Sequence, residues 1–121
     1  MASESLYRRM GGYDAIAVIT DDFLSKLVAH DQMKRFFMGA SENTRARRRQ
    51  YIVDFICSRT GGPCAYLGRS MKEAHKGLDI TESDWHVLSA LCSESLFVYK
   101  LPQQEIDELL EFIDSLKAEI L

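Results

Sequence analysis

His75 stands four positions after Met71 and three before Leu78, a spacing that puts all three on one face of a helix. An imidazole on an apolar face is often an ordinary core residue, but it is also the commonest protein ligand for a metal. The other two histidines, His30 and His86, lie far off in sequence, and no H-x-x-x-H pair exists. A metal site built from protein donors alone therefore has little support. One histidine holds iron when a porphyrin supplies the remaining in-plane donors. The chain then has to provide an axial ligand and an apolar slot.

Two other groups of residues carry potential chemistry. Cys57, Cys64 and Cys92 form no C-x-x-C pair and are odd in number, so the expectation is buried free thiols in a reducing cytoplasm rather than a disulfide framework. Arg45, Arg47, Arg48 and Arg49 crowd the start of a helical segment, where positive charge opposes the macrodipole. The run is basic, but the chain carries a net charge of −3 and no recognisable DNA-binding motif, which argues against nucleic acid as a partner.

The elements that must position these residues are helices. The 121 residues make one domain, spanning 1–121, and a hydrophobic fraction of 46% is ordinary for a globular chain. No segment alternates with period two. No apolar run approaches the roughly 20 residues of a membrane span, and MASESLYRRM lacks a signal-peptide core, so a cytoplasmic protein is expected. After a short opening segment and the break Gly11-Gly12, Ile16, Ile19, Phe23, Leu24 and Leu27 form one stripe over about 14–29. A connector over 31–37 ends in Phe36-Phe37. The next helix is expected over 43–60, with Ile52, Phe55 and Ile56 as its apolar stripe, and Gly61-Gly62-Pro63 ends it. Ser70 caps a short helix over 71–76 that Gly77 closes. Thr81-Glu82-Ser83-Asp84 has the form of a capping box before a helix with Trp85, Leu88, Leu91 and Cys92 on one face. Pro102 suits a first helical position, and a last helix runs from there to the C-terminus. Helices of unequal length with irregular joints point to crossed packing rather than a symmetric bundle.

Gly11-Gly12, Phe36-Phe37, Gly61-Gly62-Pro63, and Tyr66-x-Gly68-Arg69-x-Met71-x-x-x-His75 followed by Gly77 and Ile80-Thr81 occur in the order and spacing of the truncated haemoglobins. The chain resembles the first group of that family from Leu6 to its C-terminus. The resemblance implies an all-α truncated globin, a two-over-two helical sandwich around one haem b. It implies that His75 is the proximal ligand, its second ring nitrogen donating to a carbonyl or water. By position, Phe37 packs on the haem face, Met71, Ile80, Trp85, Leu88 and Ile113 line the pocket, and Tyr66 and Arg69 reach the propionates.

The distal side departs from the family pattern. Relatives commonly carry a tyrosine where this chain has Leu24, beside Phe23, and a polar residue where it has Ile52. Arg48 is the charged candidate there, either as a distal donor or as a solvated or propionate-facing side chain; Tyr51 and Gln50 are further polar candidates, and Ile56 falls at a gating position. Distal donors stabilise the partial negative charge of bound dioxygen, so the expectation is weaker hydrogen bonding than in tyrosine-bearing relatives. The functions implied are reversible binding of dioxygen or another diatomic gas, in the manner of an oxygen transporter, and alternatively nitric oxide dioxygenation with a reductase partner. A monomer or weak dimer is expected, without membrane or nucleic-acid partners.

Overall fold

The computed structural model describes residues 4–121, and every regular element among them is helical. The elements are α1 (Leu6–Met10), α2 (Gly12–Ala29), a 3₁₀ turn (Lys34–Phe36), α3 (Glu42–Arg59), α4 (Met71–His75), α5 (Glu82–Val98), α6 (Gln103–Asp114) and α7 (Lys117–Ile120). α2 packs on α3, α5 packs on α6, and α2 against α5 joins the two pairs. No helix among the described residues is long and apolar enough to cross a membrane.

Short polar side chains start most of these helices. Ser5, Ser41 and Ser70 each accept from the backbone N–H three residues on, at 3.1–3.2 Å. At α5, the Asp84 N–H donates to Thr81 Oγ1 at 3.1 Å, and the Thr81 N–H donates to Asp84 Oδ2 at 3.0 Å, completing the capping box. Gly11 takes φ 108°, closing α1, and α2 follows at once, two residues earlier than the stripe alone indicates. Pro102 is the N-cap of α6 rather than its first helical residue, with ψ at 149°.

The C-terminal stretch is two helices rather than one. The Ser115 hydroxyl donates to the Phe112 carbonyl at 2.5 Å, and the Ser115 N–H is shared between the Glu111 and Phe112 carbonyls at 3.1 Å. Local bonding of this kind competes with the helical ladder, and the chain turns there before α7.

The core holds Met10, Ile16, Ala17, Ile19, Val53, Cys57, Cys92, Leu96, Ile106 and Leu109. On α3 the fully buried positions are Val53, Phe55 and Cys57, whereas Ile52 and Ile56 are half-buried. That helix therefore has two apolar faces, and the Ile52–Phe55–Ile56 spacing marks only one of them. Among the charged residues, Arg9 spans from α1 to Glu105, at 3.0 Å, and Glu108 of α6.

The three cysteines do not all remain thiols. Cys57 and Cys64 are joined as a disulfide, with Cα atoms 5.8 Å apart, because the turn at Gly61-Gly62-Pro63 folds the chain back on α3. Cys92 alone is free, and burial pushes its thiol pKa up to about 12. Gly62 sits in the crook of that turn, where a Cβ would meet Cys57 Sγ and the Tyr7 ring at 2.6 Å. A Gly62→Ala variant should lose about 1–3 kcal/mol of stability through overpacking. Urea melts check this, and a loss under about 0.5 kcal/mol would mean that the Tyr7 ring moves freely aside.

Candidate haem site

His75 is the last residue of α4, a helix of five residues whose helix-to-helix packing is chiefly against α7. Its Nδ1 lies 2.7 Å from the Met71 carbonyl oxygen one turn back. A carbonyl accepts only, so Nδ1 carries the ring proton and donates, and Nε2 keeps its lone pair. The residue as a whole is half-buried.

Leu24 of α2, Arg48 of α3 and Phe37 after the 3₁₀ turn line one cleft of about 500 Å³, together with Val28, Ala29 and Ala46. The arginines on this cleft are not equivalent. Arg49 forms a forked pair with Asp21, at 2.8 and 3.0 Å, which ties α3 to α2. Arg48 is exposed and has no ion-pair partner among the described residues. Of the other polar candidates, Gln50 donates to Tyr13 Oη at 2.9 Å and to Asp54 at 3.0 Å, and Tyr51 is exposed.

Phe23, Ile52, Met71, Ile80, Leu88 and Ile113 are all half-buried. Trp85 differs: it is buried, and its Nε1–H is directed at Asp114 Oδ1 at 3.4 Å, joining α5 to the end of α6. Tyr66 donates its hydroxyl to the Arg69 carbonyl at 2.5 Å, inside its own loop. Its ring meets Phe55 edge-on at 5.2 Å and Tyr51 at 6.1 Å, so it anchors loop 60–70 to α3. Burial raises the Tyr66 pKa above the usual phenol value, with Tyr51 adding to the effect. Arg69 is exposed.

One cluster, around Asp84, has a sequence signal for only half of itself. Asp84, recognisable as a capping-box residue, is 1% exposed and also accepts from Arg35 at 2.5 Å and Gln32 at 2.7 Å. It thereby fixes the segment that leads into Phe37. Burial opposes ionisation of Asp84, but Arg35, the Thr81 backbone and Gln32 outweigh it and hold the carboxyl well below the usual range.

The family model for bacterial-like globins matches residues 5–121. The chain is a bacterial-like globin. A group 1 truncated haemoglobin from Mycolicibacterium paratuberculosis is 32% identical over 96% of this chain and 83% of its own length. Among solved structures, the Fe(III) form of the Tetrahymena pyriformis truncated haemoglobin superposes with a TM-score of 0.90, at 24% identity over 98% of both chains. The 2/2 haemoglobin of Synechococcus sp. PCC 7002, solved in a cyanomet state with covalently attached haem, gives 0.84 at 26% identity over 94% of each. The globin is thus a group 1 truncated haemoglobin, a haem-based gas-binding protein.

The residues present fit that cofactor. The described residues hold no cluster of three His, Cys, Asp or Glu side chains able to ligate a metal unaided. They do hold His75, an imidazole whose Nδ1 is committed to the Met71 carbonyl and whose Nε2 has the chemistry to bind iron.

Proposed function

We propose that the globin binds dioxygen reversibly at a haem b held by His75 through Nε2. The observation that carries this reading is the 2.7 Å contact between His75 Nδ1 and the Met71 carbonyl, which orients the ring and makes Nε2 the more basic donor. When bound, haem supplies a ferrous iron for the gas. The chain would supply the His75 nitrogen to hold the haem, an apolar surround from Phe37, Met71, Ile80, Leu88 and Ile113, and polar groups from Tyr66 and Arg69 for its propionates. Absorption spectra of the ferric, ferrous and carbonmonoxy states test the reading; no haem uptake by the wild-type globin would defeat it.

Phe23, Leu24 and Ile52, the residues assigned to the distal side, carry no hydrogen-bond donor in their side chains. Arg48 stands at the solvent edge of the cleft, where a long charged side chain keeps its head in water. Dioxygen release should therefore be fast. A Leu24→Tyr variant should slow it about five- to tenfold, the equivalent of one added hydrogen bond of about 1–1.4 kcal/mol. Stopped-flow displacement by carbon monoxide measures this. Slow release by the wild type, accelerated in Arg48→Ala, would instead make Arg48 the donor.

Fast release suits delivery of dioxygen in the cytoplasm by a monomer or weak dimer, with a reductase returning ferric haem to the ferrous state. Nitric oxide dioxygenation is the weaker reading, because Leu24 and Ile52 offer nothing to retain dioxygen until nitric oxide arrives.

A further inference from the structure

The Cys57–Cys64 disulfide ties the end of α3 to the loop that precedes α4 and His75. Cys57 is fully buried at the end of α3, within the main core, whereas Cys64 is half-buried in the irregular loop 60–70 that runs directly into α4. α4 takes its chief helix packing from α7, and loop 60–70 is its direct chain connection to α3. Three things hold the loop to α3: the Gly62 N–H donating to the Cys57 carbonyl at 2.8 Å, the Tyr66 ring against Phe55 and Tyr51, and the disulfide. Only the last of these is covalent, and only it can be switched by chemistry.

We propose that Cys57–Cys64 is a thiol-exchange site, and that its reduction loosens the loop and weakens the hold of His75 on haem; the second half rests on the haem reading above. The reductant is a dithiol of the thioredoxin class. Its thiolate attacks Cys64 Sγ, the more accessible sulfur, forming a mixed disulfide while the S–S bond breaks and Cys57 leaves as a thiolate that takes up a proton. The second thiol of the reductant then attacks its own sulfur in the mixed disulfide. This expels Cys64, which is protonated in turn, and leaves the reductant as a disulfide. Two electrons and two protons pass to the protein.

The test treats the haem-loaded protein with reduced thioredoxin under native conditions, then alkylates and weighs it. Two added alkyl groups, on Cys57 and Cys64 but not on buried Cys92, are expected. Amide exchange over loop 60–70 and α4 should quicken by tenfold or more, and haem transfer to an apo-globin acceptor several-fold. A Cys57→Ser/Cys64→Ser variant should match the reduced wild type and ignore the reductant; if it fails to fold, the reduced wild type carries the comparison alone. Alkylation that appears only on unfolding, or exchange unaltered by reduction, would overturn the proposal. Because alkylation mass and amide exchange can be read equally on protein that takes up no haem, failure of the haem reading would show separately, as an absent Soret band.

Discussion

His75→Gly should abolish stable haem retention, and millimolar imidazole should restore it. On the proposed reading His75 Nε2 is the donor to iron, and its ring is held by the Met71 carbonyl at 2.7 Å. Altering an outer-shell partner of a metal-bound histidine costs about 10- to 100-fold in affinity, so removing the histidine itself should exceed that range. The expected readouts are loss of the Soret band after gel filtration and a haem-transfer rate at least about a hundredfold faster than that of the wild type. The fold should survive. α4 is a five-residue helix capped by Ser70, His75 is only half-buried, and the principal core lies among α1, α2, α3, α5 and α6. Far-ultraviolet circular dichroism should therefore change little. Added imidazole would occupy the space left by the side chain and bind iron untethered, so haem should return while its dissociation stays fast. Unchanged haem binding in His75→Gly would assign the iron to another residue and remove the basis of the functional reading. Loss of helical signal together with haem would give His75 a structural role in addition.

Much of this arrangement was legible in the sequence because it is local. The serine and threonine caps, the breaks at Gly11-Gly12 and Gly61-Gly62-Pro63, and the short helix before Gly77 each follow from residues within four positions of one another. The spacing of Met71 and His75 even allowed the bond that orients the ring. What could not be read depends on contacts remote in sequence or on competition between local options. Arg35 meets Asp84 across 49 positions, and nothing in either neighbourhood announces the other. The thiol pairing depends on how tightly the glycine turn doubles back, which the odd cysteine count concealed. Ser115 lies inside an unbroken apolar period, so its hydroxyl had to be seen on the Phe112 carbonyl before the last helix divided in two. Along α3 the limit was of another kind. Half-buried and fully buried positions both take aliphatic residues at helical spacing, so Ile52 and Ile56 could not be told from Val53 and Cys57 by pattern.

Asp84→Ala should be strongly destabilising, by about 2–3 kcal/mol, below the 3–5 kcal/mol of a fully buried pair because Arg35 is 46% exposed in its side chain. The carboxylate is itself 1% exposed and accepts from Thr81 N, Gln32 Nε2 and Arg35 Nη2, at 3.0, 2.7 and 2.5 Å. Truncation strands those donors together with the reciprocal half of the α5 cap. The melting temperature should drop by about 10 °C for a chain of this size. Acid separates charge from shape. The folded-state pKa of Asp84 is depressed, chiefly because Arg35, the Thr81 backbone and Gln32 overcome the opposing effect of burial. Its stabilisation is therefore complete above the unfolded aspartate value of about 3.9 and is lost as pH falls below that toward the folded value. Urea melts at pH 7 and at successively lower pH should show the wild type losing stability faster than Asp84→Asn, which is already neutral and keeps the shape. Equal acid sensitivity in the two proteins would mean that other carboxylates govern the acid limb. The same anchor fixes the segment 32–35 ahead of Phe37, so Asp84→Ala should also quicken haem loss while leaving His75 untouched. A variant that melts early yet keeps its haem as long as the wild type would separate the two effects and confine Asp84 to stability.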